Sequence, residues 1–176
     1  MSELRKANTD HTYFITLTIV GWIDLFSRYR YSDLIINNLN YCIKNKGLEV
    51  FAYVIMPSHV HLVARQKEGK LNNVLRDFKS YTAKEILKLI ETEPGESRKD
   101  WLLYMFSYFA KGNQQNSEHQ VWQKTNHPTE LLDGKMVTQK IEYIHQNPVR
   151  AQIVQEPNNY IYSSANTLQQ LLLEKY

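Results

Sequence analysis

Glu49-Val50-Phe51-Ala52-Tyr53-Val54-Ile55-Met56, then Pro57-Ser58, then His59-Val60-His61-Leu62-Val63-Ala64-Arg65, is the most strongly patterned stretch of the chain. The run up to Met56 is nearly all apolar and rich in β-branched and aromatic side chains, as in a strand buried on both faces. Two turn-forming residues separate it from a second such run, so the whole reads as a β-hairpin. Side chains alternate along a strand, which puts His59 and His61 on one face and turns Val60 and Leu62 towards the core. Upstream, Thr12 to Val20 alternates Tyr13, Ile15, Leu17 and Ile19 against Phe14, Thr16 and Thr18, giving a third strand.

Helical spacing fills the intervals. Ser32 to Asn45 carries Leu34, Ile35, Leu39, Cys42 and Ile43 on one stripe, with Ser32 as the expected N-cap and Gly47 as the stop. A second helix starts at Leu71 and runs through Val74, Leu75, Phe78, Ile86 and Leu89. A loop follows near 91–100, and Trp101 to Ala110 reads as a strand or a buried helix, with Leu102, Met105, Phe106 and Phe109 favouring the helix. Lys111 to Glu118 reads as a loop and Gln120 to Gln123 as a short strand. Asp133 to about Gln146 is helical through Val137, Ile141 and Ile144, and Asn147-Pro148 should end it because a residue before proline avoids the helical region. A tail from about residue 150 should finish with a short helix near Leu168 to Lys175. This order predicts an α+β domain spanning 1–176, with a ferredoxin-like split βαβ antiparallel sheet covered by helices on one face.

Composition narrows the class. The chain has 176 residues, 43% hydrophobic and 22% charged, with a net charge of +3. Those fractions suit one globular domain and exclude a disordered chain. No apolar run is long enough to span a membrane, and the polar start, Met1 to Asp10, does not read as a signal peptide. The single cysteine, Cys42, excludes an internal disulfide and a cysteine-built zinc site, so a cytoplasmic location is expected.

His59 and His61, about 7 Å apart along a strand, are spaced as a chelating pair for a divalent cation. A third ligand would have to be a carboxylate, an amide oxygen or another histidine. Two histidines on a solvated strand face would fit the same pattern. Tyr143 and Asn147, four residues apart, share one side of the last long helix, off its apolar stripe. They could offer a phenol and an amide oxygen to such a cation, or be a boundary tyrosine and a helix-ending asparagine. Taken together the two pairs suggest phosphoryl transfer: a cation polarises a phosphate and a tyrosine attacks it.

Tyr53-Val54-Ile55-Met56-Pro57-Ser58-His59-Val60-His61-Leu62-Val63 closely resembles the HUH segment of single-tyrosine transposases. Val121-Trp122-Gln123, Tyr143-Ile144-His145-Gln146-Asn147-Pro148-Val149-Arg150-Ala151 and Tyr160-Ile161-Tyr162-Ser163-Ser164-Ala165 resemble the REP-associated branch of that family. The resemblance implies a ferredoxin-like nuclease that binds Mg or Mn, acts on single-stranded DNA carrying a hairpin, and forms a 5′-phosphotyrosine. It makes His59 and His61 metal ligands, Tyr143 the nucleophile and Asn147 the third, polar ligand. Gln152 departs from the family, which usually has glycine there. Glutamine resists positive φ, so the loop after Pro148 is expected to take another path. The resemblance favours a self-contained monomer over a homodimer that exchanges the tyrosine helix.

The segment 65–90 holds Arg65, Lys67, Lys70, Arg76, Lys79, Lys84 and Lys88 against three acids, a local charge of +4. Arg65, Arg76, Lys79, Tyr81 and Arg150 are the candidate DNA contacts, and Phe78-Lys79-Ser80-Tyr81 resembles the family's segment on this helix. Twelve tyrosines offer stacking platforms for unpaired bases, with Tyr29, Tyr31, Tyr81, Tyr104, Tyr108, Tyr160 and Tyr162 as candidates. Tyr81, on a basic helix, is the rival nucleophile. The histidine pair is expected to face solvent. The alternative function is a host-retained regulator of the same fold that binds DNA without cutting it, and a small-molecule metalloenzyme would instead need a closed apolar pocket around the histidines.

Overall fold

Alternation in the N-terminal run and in the hairpin yields strands β1 (Thr12–Thr18), β2 (Leu48–Met56) and β3 (His59–Gln66). This is a computed structural model, and it describes residues 11–111, 118–168 and 170–175. Met56 pairs with His59 across the Pro57-Ser58 turn, and β1 runs antiparallel on the other side of β3, with Thr18 opposite His59 and Thr16 opposite His61. A short β4 (Thr129–Leu131) adds to Thr12–Phe14. The resulting order, β2-β3-β1-β4, is the expected split βαβ arrangement: α1 (Tyr29–Lys46) joins β1 to β2, and β3 fills the slot between them.

Tyr13, Ile15, Leu17, Val60 and Leu62 enter the larger core with α1, α2 (Leu71–Thr92) and α3 (Lys99–Lys111). Phe14, Ala52, Val54, Met56 and Val63 point the other way and are covered by Val137 and Ile144 of α4 (Gly134–Arg150). Helical cover was expected on one face; it lies on both, three helices against one. The cause is the doubly apolar β2, whose second face would lose its hydrophobic stabilisation if left in water. Gly47, with φ 68, ends α1 in the left-handed conformation expected of a glycine stop. The helix begins before its expected N-cap: Ser32 is buried inside it and donates to the Phe26 carbonyl at 3.1 Å. The 91–100 segment connects α2 to α3 and closes on α1 through buried Glu96, which accepts from the Tyr31 hydroxyl at 2.7 Å.

Three further expectations are corrected. Gln120–Gln123 forms a single bridge, Trp122 to Ile19, rather than a strand. Val121 O accepts from Val20 N–H at 2.9 Å and Gln123 N–H donates to Thr18 O at 2.8 Å, but the pairing goes no further: the Gln123 carbonyl turns to α2, where the Lys79 ammonium donates to Gln123 O at 2.5 Å, Lys124 O at 3.3 Å and Asn126 Oδ1 at 2.7 Å. Pro148 does not stop α4 but sits buried in its last turn, where the missing N–H costs one bond and little chain remains to be kinked. The described part of Leu168–Lys175 forms no helix. Its polar groups bond sideways: Leu172 N–H donates to Asn40 Oδ1 at 3.0 Å, Asn40 Nδ2 to Gln170 O at 2.9 Å and Glu174 N–H to Val50 O at 2.9 Å.

Gln152 does take positive φ, 58°, so the turn keeps the path a glycine would give it, against expectation. Ile153 N–H reaching Pro148 O at 2.9 Å holds it there. The loop expected over Lys111 to Glu118 falls at 112–117, outside the described residues. Among the described residues, no helix is long and apolar enough to cross a membrane.

Candidate active site

The polar end of the second sheet face carries the site. Along β1 that face reads Phe14, Thr16, Thr18, so apolar cover stops at Phe14, and across the ladder from the two threonines stand His61 and His59. The imidazole centroids are 4.7 Å apart with planes at 71°. Each ring has Nδ1 engaged by a hydroxyl: Thr16 Oγ1 at 2.9 Å for His61, Ser58 Oγ at 3.1 Å for His59. With Nδ1–H donated to a hydroxyl, Nε2 keeps the lone pair a metal takes.

The pair is less solvated than expected. His61 is buried, 6% exposed, with its ring stacked on Phe14 at 5.1 Å. Burial, then His59 and Lys140, depress its pKa to about 3, and burial lowers that of His59. Both imidazoles are therefore neutral near pH 7, the ligating form.

Helix α4 is aimed at them. Asp133 caps it, accepting from Met136 N–H at 2.8 Å, and Val137 and Ile144 bury one stripe against the sheet. The neighbouring stripe is Lys140, Tyr143, Asn147 and Arg150, at helical spacing. The Tyr143 ring lies 5.6 Å from the His61 ring and 5.7 Å from Phe14. Two cations attend it: Lys140 Nζ is 5.3 Å and Arg150 Cζ 5.5 Å from the ring centroid. Asn147 Nδ2 donates to the Tyr143 carbonyl at 3.0 Å, leaving Oδ1 as the end suited to a hard cation. Among the described residues no cluster of three or more His, Cys, Asp or Glu is poised for a metal.

Histidines, tyrosine and Arg150 are thus brought together from β3 and α4, with Asn147 one turn beyond the tyrosine. The remaining candidates lie elsewhere. Arg65 is two strand pairs further along β3, ion-paired with Glu49 and 5.4 Å from the Phe51 ring centroid. Lys79 is not presented to phosphate, because the three oxygens that draw it in are its partners; burial lowers its pKa to about 8. Arg76 is exposed and paired with Asp77 at 2.8 Å. Tyr81, half exposed, lines a cavity of about 590 Å³ between α1 and α2, across the sheet from the histidines. Of the other tyrosines, Tyr31 and Tyr162 are buried in structural hydrogen bonds, and Tyr160 donates to Ile55 O at 2.7 Å. Tyr29, Tyr104 and Tyr108 are exposed. His145 is bound to Ser164 at 2.9 Å, and His127 to Thr125.

Sequence reasoning missed Lys140 and Thr16. The first was visible as a cation three residues before Tyr143; the second needs the β1–β3 register, which no local pattern supplies.

A profile of the family described as "Transposase IS200 like" matches residues 25–124, more than half of the chain, and ends before α4. Among solved structures, the chain resembles that titled "Structure of the REP associates tyrosine transposase bound to a REP hairpin", with TM-score 0.62 and 19% identity over 93% of this chain and 82% of that one. A search of curated proteins found no match. The hairpin with its paired histidines, the split βαβ sheet and a profile match across the whole of α1 to α3 lead to one conclusion: the chain belongs to the IS200-like transposase family.

Proposed function

We propose that the protein nicks and rejoins single-stranded DNA bearing a hairpin, using Tyr143 as nucleophile. The observation that carries this reading is the Tyr143 ring 5.6 Å from the His61 ring, on a helix packed against the same chain's sheet. His59 and His61, with Asn147 Oδ1, would hold Mg or Mn, which when bound polarises the scissile phosphate. The chain's own groups do the rest. Lys140 and Arg150 attract the DNA phosphate to the tyrosine, and Thr16 and Ser58 fix the imidazole orientations. The Tyr143 oxygen forms a bond to phosphorus as the bond to the 3′ oxygen breaks. The phenol loses its proton and the departing 3′ oxygen gains one. A 5′-phosphotyrosine and a free 3′ hydroxyl result, and attack by another 3′ hydroxyl reverses the step with no external energy source.

The working unit is a monomer on this reading, with Val137 and Ile144 seating α4 on the sheet of its own chain. The solved REP-associated transposase bound to a REP hairpin supports a hairpin partner here. Incubation with hairpin-tipped single strands and Mn, read on a denaturing gel, tests the reading. The wild-type protein should give a covalent band, whereas Tyr143→Phe should give none while binding DNA within about threefold of wild type. DNA binding with no band from any strand would favour the regulator.

A further inference from the structure

Trp22 has the geometry of a ligand platform rather than of a core residue. Its indole is 61% exposed, yet the ring centroid lies 5.4 Å from that of His59 at an interplanar angle of 72°. The backbone that presents it is strained: Trp22 has φ 54, a left-handed conformation that bulky side chains rarely adopt. It follows Gly21 at φ 62, where an added Cβ would meet the Phe109 ring at 2.6 Å, so α3 packs directly against the turn. The flanking Val20 and Ile23 are buried, and the chain on either side is clamped to the hairpin end. Ile19 N–H donates to Ser58 O at 2.9 Å and Phe26 N–H to Pro57 O at 2.8 Å. The fold thus holds a costly turn rigidly and uses it to set one large aromatic face in water at the rim of the histidine pair.

On the transposase reading above, we infer that Trp22 is the stacking subsite for an unpaired nucleobase next to the scissile phosphate. A phosphate held at the histidines places its own nucleotide within one nucleotide's span of the indole. Every base has a π-face, so the platform should add affinity and alignment without selecting sequence. Trp22 then acts by positioning the strand: stacking fixes the sugar, and the sugar fixes the phosphate for attack by Tyr143. The tyrosines considered as stacking platforms lack this combination of exposure, rigid presentation and contact with a metal-site histidine.

The test uses the full chain, Mn and a hairpin-tipped strand that yields the covalent adduct, with an abasic nucleotide walked through positions flanking the cleavage. Trp22→Leu should slow adduct formation about five- to hundredfold, the range expected for one lost base stack, while Trp22→Phe stays within about fivefold of wild type. At one position the abasic substitution should slow the wild type to a similar degree and add little in Trp22→Leu. DNA binding should also quench tryptophan emission in the wild type and much less in Trp22→Phe, a readout that does not require the leucine variant to fold. Unchanged rates in Trp22→Leu would overturn the inference, as would an abasic effect equally large in both proteins or quenching that persists in Trp22→Phe. A wild-type protein that forms no adduct with any strand would overturn the nuclease reading itself, and this subsite with it.

Discussion

The two faces of the sheet are built from the same three long strands but covered differently. One face, through Tyr13, Ile15, Leu17, Val60 and Leu62, is apolar across its middle and meets three helices. The other has a single helix across it and changes character part-way along β1, from Phe14 to Thr16 and Thr18. Where the apolar residues stop, β3 contributes His61 and His59, and α4 turns its polar stripe towards them. The thick face supplies stability; the thin one supplies a partly dry, polar margin in which neutral imidazoles and a phenol can meet. Burying a polar group is costly, and here the imidazole of His61 lies where little core must be given up to accommodate it.

Substituting the thin face at its polar end should do most to separate function from stability. His61→Ala should abolish metal-dependent adduct formation, a loss of about a thousandfold or more. It should also lower stability by about 1–2 kcal/mol through the lost packing on Phe14. A denaturation midpoint beside the gel assay checks both.

Within the cores, Leu62→Ala on the thick face should cost about 3–4 kcal/mol in urea unfolding. Ile144→Ala on the thin face should cost about 2 kcal/mol, because a single covering helix can settle into the gap. Equal costs would contradict the contrast between the two sides.

A pH series sharpens it further. Folded His61 has its pKa held near 3 by burial first, whereas the unfolded side chain titrates near 6.5. Between those values the unfolded state binds a proton that the folded state refuses. The metal-free protein should keep this stability above about pH 6.5 and lose it as the pH falls, by up to about 1.4 kcal/mol per unit from this group. His61→Ala should flatten the slope relative to wild type in chelator-treated samples. The smallest expected effect is at the end of α4, where Gln152 sits at φ 58. Gln152→Gly should raise stability by about 0.5–1 kcal/mol with adduct formation unchanged, as read by thermal unfolding.

The hairpin and the polar stripe of α4 were legible because each is a local repeat: alternation sets the histidines on one face, and four-residue spacing sets Asn147 beneath Tyr143. What escaped the sequence was settled by distant partners. Lys79 looks like a surface cation until the carbonyls of 123–124 and the Asn126 amide draw it in. The tail from Leu168 has helical composition, but Asn40 and Val50, more than a hundred residues away, take its amides. Trp22 was missed because positive φ at a non-glycine residue has no signature in composition or spacing.

Tyr143 is the residue proposed to be joined to DNA. Digesting the covalent adduct and locating the nucleotide remnant by mass spectrometry tests this directly. The remnant should sit on the α4 peptide at Tyr143; finding it on Tyr81 or any other tyrosine would contradict the account.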